Sequence, residues 1–486
     1  MIYDYEKIAP MWSEILMGTF SFVYVTLIVC TAVVVVMENR QPAKTIAWLL
    51  VLVLLPVVGL LFFYFFGQNV RKERFIGRKT FDLLTKVMLK ESSYCPPELM
   101  QPKYERLIQL NEWKNRSVLT AGNETQLLTS GEEYVLELLK AIYAAQQHIH
   151  LETYIIEDDA AGRLVRDALV DRAREGVEVR LLYDDVGCWN VPNEFFESFI
   201  AGGVKVQAFL PVKFPSMTHR INYRNHRKVC VIDGRIGFIG GMNIAVRYMN
   251  RGDRIWRDQH LRIEGDAVGS LQRLFVSDWY FMSNTLLKDP KYFPVRDSVA
   301  AFTRGALMQI VSANPVSHYP EIMYSITWTI AHAQRYIYFQ TPYFLPTEPV
   351  IQALQTAAMS GVDVRLMIPE KPDAFWLRWG NDSYISAMLR AGVRVFAYQN
   401  GFLHSKSVVS DDDWCTVGSS NMDFRSFENN FEANAFLYDA KTAIQVRDVF
   451  LEDLERCEEI HLDEWQRRPM LHRCLESLTR VFSPLL

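Results

Sequence analysis

Two long apolar stretches open the chain. From Ile15 to Met37 there are 23 residues without a charge, and from Ile46 to Phe66 another 21, interrupted only by Pro56 and Gly59. As helices rising about 1.5 Å per residue they reach roughly 31 to 35 Å, enough for a hydrocarbon core of roughly 30 Å. The segment between them, Glu38 to Thr45, allows only a tight turn. The pattern predicts a transmembrane hairpin with both outer ends on one side of the bilayer, because core helices of soluble proteins seldom stay uncharged for so long. A secretory signal has a shorter apolar region and a basic start. Here Asp4 and Glu6 stand at the start, so the hairpin is expected to stay attached. Lys7, Arg71, Lys72, Arg74, Arg78 and Lys79 flank the outer ends, against Arg40 and Lys44 in the turn. The positive-inside rule then places the large remainder of the chain in the cytoplasm.

After a poorly patterned linker from about Phe81 to Asn123, the hydrophobic pattern repeats itself. AIYAAQQHIHLETYII (141–156) matches TIAHAQRYIYFQTPYF (329–344), a helix end running into a strand in both cases. GVEVRLL (176–182) matches GVDVRLM (361–367), and GVKVQAF (203–209) matches GVRVFAY (392–398). Strand alternating with helix is the pattern of an α/β sheet covered by helices, and two copies predict two such sheets related by a pseudo-twofold axis. The expected organisation is a hairpin over 1–70, a linker over 71–125, a first repeat over 126–290, and a second over 291–486 that ends in helices.

Composition narrows the partners. The 486 residues are 49% hydrophobic and 22% charged, so the chain is not disordered, and it is too long for one ordinary core. A net charge of −4 offers no general attraction to nucleic acid, which is not an expected partner. Cysteines 30, 95, 188, 230, 415, 457 and 474 include no CxxC pair, so they predict reduced thiols, with neither a disulfide framework nor a zinc site. Oligomeric state is not encoded in any recognisable pattern.

The chemistry sits in the repeats. NHRKVCVIDG carries His226, Lys228 and Asp233, followed by Gly240, Gly241 and Asn243; LHSKSVVSDD carries His404, Lys406 and Asp411, followed by Gly418, Ser419 and Asn421. The spacing H-x-K-x4-D is the same in both. His and Lys two apart on a strand face one side of a sheet, and the repeat symmetry can bring both pairs to one cleft. A lysine beside a metal ion is repulsive, so neither metal nor cofactor is expected. What such a set can do is phosphodiester chemistry: an imidazole to attack phosphorus, another to protonate the departing alkoxide, and Lys228, Lys406, Asn243 and Asn421 to hold the nonbridging oxygens.

The paired motifs resemble the phospholipase D superfamily, in which two such motifs build one metal-independent phosphodiester site. The resemblance implies that carboxylates some thirty residues downstream orient the histidines; Asp258 in WRDQHLRIEG and Glu432 in NNFEANAFLYD occupy those places. It also implies that His226 is the nucleophile, and that Asp233 and Asp411 brace the motif's turn away from the chemistry. ENRQPAKTIAWLLVLVLLPVVGLLFFYFFGQNVRKE (38–73), RNHRKVCVIDGRIGFIGGMNIAVRY, GFLHSKSVVSDDDWCTVGSSNMDFRSFENNFEAN and the final SPLL are similar to bacterial cardiolipin synthases. That family joins two phosphatidylglycerols into cardiolipin and glycerol at the inner cell membrane. Because one phosphodiester is exchanged for another, no nucleotide is needed, and the chain has no P-loop or GxGxxG.

A hydrolase, or a transferase using another alcohol, would share the same histidines, and the motifs leave that choice open. A membrane-tethered nuclease would want a basic groove with stacking aromatics, against which the charge and the apolar front end argue. A catalytically dead scaffold would have lost a His or Lys, and neither motif has. His219, His260 and His332 lack a partner pattern and read as structural. Phe375, Trp376 and Trp379, in EKPDAFWLRWGND, are expected either to line a lipid entrance at the end of the sheet or to pack a helix core.

Overall fold

The computed structural model describes residues 5–37, 42–63, 101–115, 117–212, 222–249, 255–294, 305–317 and 319–482. The chain divides into two units, residues 1–73 with 213–222, and the remainder. The basic residues 40, 71, 72, 74, 78 and 79, the side chains of Lys7 and Lys44, the linker to residue 100 and the final SPLL lie outside the described residues.

In the first unit a helix runs from Tyr5 to Met37, and its Glu14–Met37 portion is the one described helix long and apolar enough to cross a membrane. The second expected span is not one straight helix. It runs Pro42–Leu54, breaks at Leu55 and resumes as Pro56–Phe62. A proline has no N–H to donate into the preceding turn, so the helix is interrupted before Pro56. At Gly59 a Cβ would stand 2.6 Å from Val51 O, so only glycine permits this bend. Val35, Leu52 and Phe63 pack together, with Trp48 edge-on to Phe63.

The second unit is built on strands. In the first repeat they are β1 (Thr120–Leu128), β2 (His148–Thr153), β3 (Glu178–Asp184), β4 (Lys205–Phe209), β5 (Val229–Ile232), β6 (Ile236–Gly240), β7 (Trp256–Arg257) and β8 (His260–Glu264). In the second they are β9 (Ala306–Ala313), β10 (Tyr336–Gln340), β11 (Phe344–Leu345), β12 (Asp363–Pro369), β13 (Arg394–Tyr398), β14 (Phe402–Leu403), β15 (Ser407–Ser410), β16 (Trp414–Gly418), β17 (Met422–Asp423), β18 (Glu432–Leu437) and β19 (Cys457–Ile460).

Rather than two separate sheets, fifteen of them form one, ordered β19-β13-β12-β10-β15-β16-β18-β9-β1-β8-β6-β5-β2-β3-β4, while β11 pairs with β17 and β14 with β7. The order reads alike from both sides of the β9–β1 junction, which is the pseudo-twofold expected from the repeat. There, Thr120 pairs with Met308 and Asn123 with Ala306 across a register shift. The junction exists because both repeats begin on a strand whose outer edge is otherwise unpaired.

Val229, Val231, Ile239 and Leu261 of the first half share a core with Val409, Cys415, Val417 and Ala435 of the second. Each buried Val, Leu or Ile among them contributes about 1.5–3 kcal/mol, so this shared layer helps hold the halves together. Helices Gly131–Ala144 and Ala160–Arg174 cover the first half, and Glu321–His332 and Glu348–Met359 the second. Ser130 and Asp159 cap the first two by accepting from the N–H of Glu133 and Gly162.

The described residues of the segment read as linker include a helix, Glu105–Asn115, and its Leu107 and Ile108 sit in the core of the second half, not the first. Its apolar residues are few and its polar face long, so its periodicity is too weak to read in the sequence.

Candidate active site

His226 and His404 each stand just before a central strand, β5 and β15. The segment Arg224–His226 runs beside Phe431: Phe431 N–H donates to Arg224 O at 2.8 Å and His226 N–H to Phe431 O at 2.9 Å. Likewise β14 pairs in parallel with β7, and His404 N–H donates to Arg257 O at 2.7 Å. These pairings bring each histidine against a carboxylate of the other repeat. His226 Nδ1 lies 3.1 Å from both oxygens of Glu432, and His404 Nδ1 lies 2.6 Å from Asp258 Oδ2. The sequence reading sets each carboxylate downstream of its own histidine; the structure crosses the partners, because the strand ends exchange between halves.

Lys228 and Lys406 are almost wholly buried, at 1% and 3% exposure. Lys228 Nζ donates to His226 O at 2.6 Å, and Lys406 Nζ to His404 O. Burial pulls Lys228 well below the usual lysine range and Lys406 down to about 8, in both cases against the pull of Asp258 and Glu432. Burial also lowers His226, to about 4, and the Lys228 and Lys406 charges lower it further against Glu432. His404 is lowered by burial, then by Lys406, Lys228 and His226. The charges of each motif act on the other's histidine, so the two motifs occupy one electrostatic site.

The two carboxylates differ. Glu432 accepts from Ser419 Oγ and from Asn430 Nδ2 at 3.2 Å, as well as facing His226. Burial pushes Glu432 up, yet His226, Lys228 and Ser419 outweigh it and hold it below the usual carboxylate range. Asp258 accepts from Gln259 N–H at 2.7 Å, and burial carries it up to about 7 against Lys406. One contribution is legible in the sequence: where the second repeat has Ser419, the first has Gly241, whose missing Cβ would stand 2.3 Å from Asp258 Oδ1.

Asn243 donates to Tyr248 OH at 2.7 Å and accepts from Ile155 N–H at 3.1 Å. Asn421 is buried and its Oδ1 has no hydrogen-bond partner among the described residues, while its backbone N–H donates to Ser426 Oγ at 3.2 Å. Asp233 and Asp411 sit at the far ends of β5 and β15, both at positive φ, 52° and 56°. Asp233 accepts from the N–H groups of Gln146, Gln147 and His148 at 2.7–2.8 Å, and Asp411 from those of Gln334, Arg335 and Tyr336 at 2.8–3.1 Å.

Several neighbours escaped the sequence reading. Tyr248 OH lies 3.5 Å from His404 Nδ1, Trp256 packs on the His404 ring, and Tyr154 packs edge-on to His226 under Lys228 Nζ. Tyr343 OH donates to Asp373, and the Asp373 charge opposes the burial of Lys406. Trp256, next to Arg257 and Asp258 in the chain, carried a signal; Tyr154 did not, because its repeat counterpart is Pro342.

The loop after β12 thus reaches the site through Asp373. Trp379 is half-buried and lines a separate cleft with Asp382, Trp465 and Arg468, a cleft that none of the motif residues lines. The side chains of Phe375 and Trp376 lie outside the described residues. His260 is buried against Tyr134, His332 stacks on Trp328, and His219 lies outside the described residues.

Residues 138–279 and 326–454 match the family model described as cardiolipin synthase, PLD-like domain, and residues 26–68 match a phospholipase D-nuclease N-terminal model. The chain is 39% identical over 480 residues to a cardiolipin synthase of Geobacillus kaustophilus, covering 98% of this chain and 95% of that protein. It is 38% identical to cardiolipin synthase 2 of Bacillus anthracis, over 93% of this chain and 89% of that one. Cardiolipin synthase 1 of Staphylococcus epidermidis is 38% identical, over 95% and 96%. The crystal structure of a phosphatidylserine synthase from Haemophilus influenzae superposes with a TM-score of 0.60 at 14% identity, covering 79% of this chain and 100% of that one, and shares the fold. Both repeats, the N-terminal segment and nearly the whole length agree: the chain belongs to the cardiolipin synthase family of phospholipase D-like phosphatidyltransferases.

Proposed function

We propose that this enzyme transfers a phosphatidyl group from one phosphatidylglycerol to another, releasing glycerol, through a phosphohistidine at His226. The observation that carries the reading is the pair of crossed, unequal histidine–carboxylate couples. With Glu432 ionised and hydrogen-bonded to His226 Nδ1–H, Nε2 keeps its lone pair for attack. The Nε2–phosphorus bond forms as the bond to the glycerol oxygen breaks. The Asp258–His404 couple gives that oxygen its proton. Lys228 and Lys406 stabilise the charge on the nonbridging oxygens, with Asn421 as a further donor.

In the second half, the headgroup hydroxyl of another phosphatidylglycerol returns a proton to Asp258–His404, its oxygen bonds to phosphorus and His226 is freed. Water would be a competing acceptor, so a site as buried as this one suits a transferase.

For the chain as a whole we propose a multi-pass anchor within residues 1–70, a first repeat that begins with β1 at Thr120 rather than at 126 and runs to 290, a second over 291–486, and a catalytic unit on the cytoplasmic side of a bacterial inner membrane. The linker of 71–125 is shortened to end before the helix Glu105–Asn115. The test is product identity: purified enzyme given phosphatidylglycerol alone, labelled in its headgroup, should yield cardiolipin and free glycerol in equal amounts. Phosphatidic acid with glycerol would make it a hydrolase.

A further inference from the structure

The helix Met470–Phe482, MLHRCLESLTRVF, is strongly amphipathic, and it is turned the wrong way for a soluble protein. At 3.6 residues per turn Met470, Leu471, Cys474, Leu478 and Val481 fall on one face, and His472, Arg473, Glu476 and Arg480 on the other. The side that packs is the strip of Leu475, Glu476 and Thr479, while His472, Arg473 and Arg480 stay exposed. Glu476, 6% exposed, is ion-paired with Arg468, Thr479 approaches Gly380, and the Arg480 guanidinium lies 4.6 Å from the Tyr384 ring centroid. The apolar side faces outward: Met470 is 79% exposed, Leu471 69%, Leu478 58% and Val481 72%. Leaving four large side chains in water costs about 1.5–3 kcal/mol each against burial, and contiguous patches of this kind mark interaction surfaces.

We propose that this helix is an interfacial anchor that lies along an anionic bilayer surface, with its outward face sunk among the acyl chains. Two observations select lipid as the occupant. Arg467, Arg468, Arg473 and Arg480 against Glu476 alone give residues 467–482 a basic excess, in a chain whose total charge is −4. Exposed Arg473 borders the apolar stripe on the helix and exposed Arg467 precedes the helix in the chain, basic groups that favour anionic headgroups. The second observation is the family's chemistry, which requires the catalytic unit to work on lipids held in a bilayer. The identity of the surface therefore rests on the phosphatidyltransferase reading, but depth of insertion does not. A docked helix holds the unit against the bilayer, shortening the path that acyl chains take to the site.

Cys474 lies on the outward stripe and supplies a native probe site. In full-length enzyme with Cys30, Cys95 and Cys457 replaced by serine, Cys474 carries a fluorophore and the protein is reconstituted in vesicles. With acyl-brominated lipid and equal phosphatidylglycerol and phosphatidylcholine, quenching should be at least about threefold stronger than quenching by aqueous iodide. In phosphatidylcholine alone it should weaken. Conversion of the substrate leaves the surface anionic, so turnover does not blur the reading. A label open to iodide and not to bromolipid overturns the proposal, as does crosslinking of two copies through Cys474 in place of quenching. In parallel, Leu471→Glu with Leu478→Glu should keep the unfolding temperature and activity on a soluble short-chain analogue while losing at least about fivefold on bilayer phosphatidylglycerol. Unchanged bilayer activity contradicts it. The quenching result stands or falls whatever product the enzyme makes.

Discussion

His404 Nδ1 lies 2.6 Å from Asp258 Oδ2, a carboxylate contributed by the other repeat and carried by burial up to about 7. A raised acid is protonated below its pKa, so the couple can release a proton below about pH 7 and loses that ability above it. Lys406, drawn down to about 8 by burial, loses its charge next. His226, near 4, is neutral throughout this range. Turnover should therefore fall as pH rises through about 7 to 8, with its acid limb near pH 4, in a kcat–pH profile on phosphatidylglycerol vesicles. Asp258→Asn should lower kcat by about 10²-fold and remove the limb near 7. A rate that climbs through pH 7 would contradict the assignment.

The Gly241/Ser419 difference gives a second prediction. Ser419→Ala removes a donor to buried Glu432 and should cost about 1.5–3 kcal/mol of transition-state stabilisation, roughly 10- to 150-fold in kcat/KM. Gly241→Ala places a methyl 2.3 Å from Asp258 Oδ1 and should disable the enzyme by displacing that carboxylate from His404. Kinetics together with thermal unfolding separate the two outcomes, since neither change should prevent folding.

Away from the chemistry, Asp233 accepts from three consecutive backbone N–H groups at the start of β2 and holds φ at 52°. Asp233→Ala leaves those donors without a partner and places Ala in the left-handed region. The expected loss is about 2–4 kcal/mol of stability in chemical denaturation, with kcat per folded molecule retained. A full loss of turnover at unchanged stability would move Asp233 into the reaction.

The repeat and its motifs were legible because they are patterns of identity: H-x-K-x4-D recurs, and the strands GVEVRLL and GVDVRLM recur with it. Partnership is not such a pattern. Which carboxylate meets which histidine depends on the exchange of Phe431 against Asn225 and of Trp256 against Phe402, contacts between segments some 150 to 200 residues apart. The joined sheet was hidden for the same reason, since Thr120 opposite Met308 is a long-range pairing with a register shift. The break of the second apolar helix was visible as Pro56, but hydropathy averages over it. Asp373 reaches the site from a loop that carries no repeat signal, and Tyr343, although inside the repeated stretch 329–344, stands opposite Ile155 and so shows no shared identity.

The central claim is that phosphorus passes through His226 while His404 moves the proton. It is tested most directly by mixing the enzyme with phosphorus-labelled phosphatidylglycerol, quenching in alkali on the millisecond scale and mapping the label. The account predicts an acid-labile, alkali-stable phosphoryl linkage on the peptide containing His226, absent in His226→Ala. In His404→Ala its formation should be slowed at least about 10²-fold. Label on the His404 peptide, or transfer with inversion at phosphorus and no covalent intermediate, would contradict it.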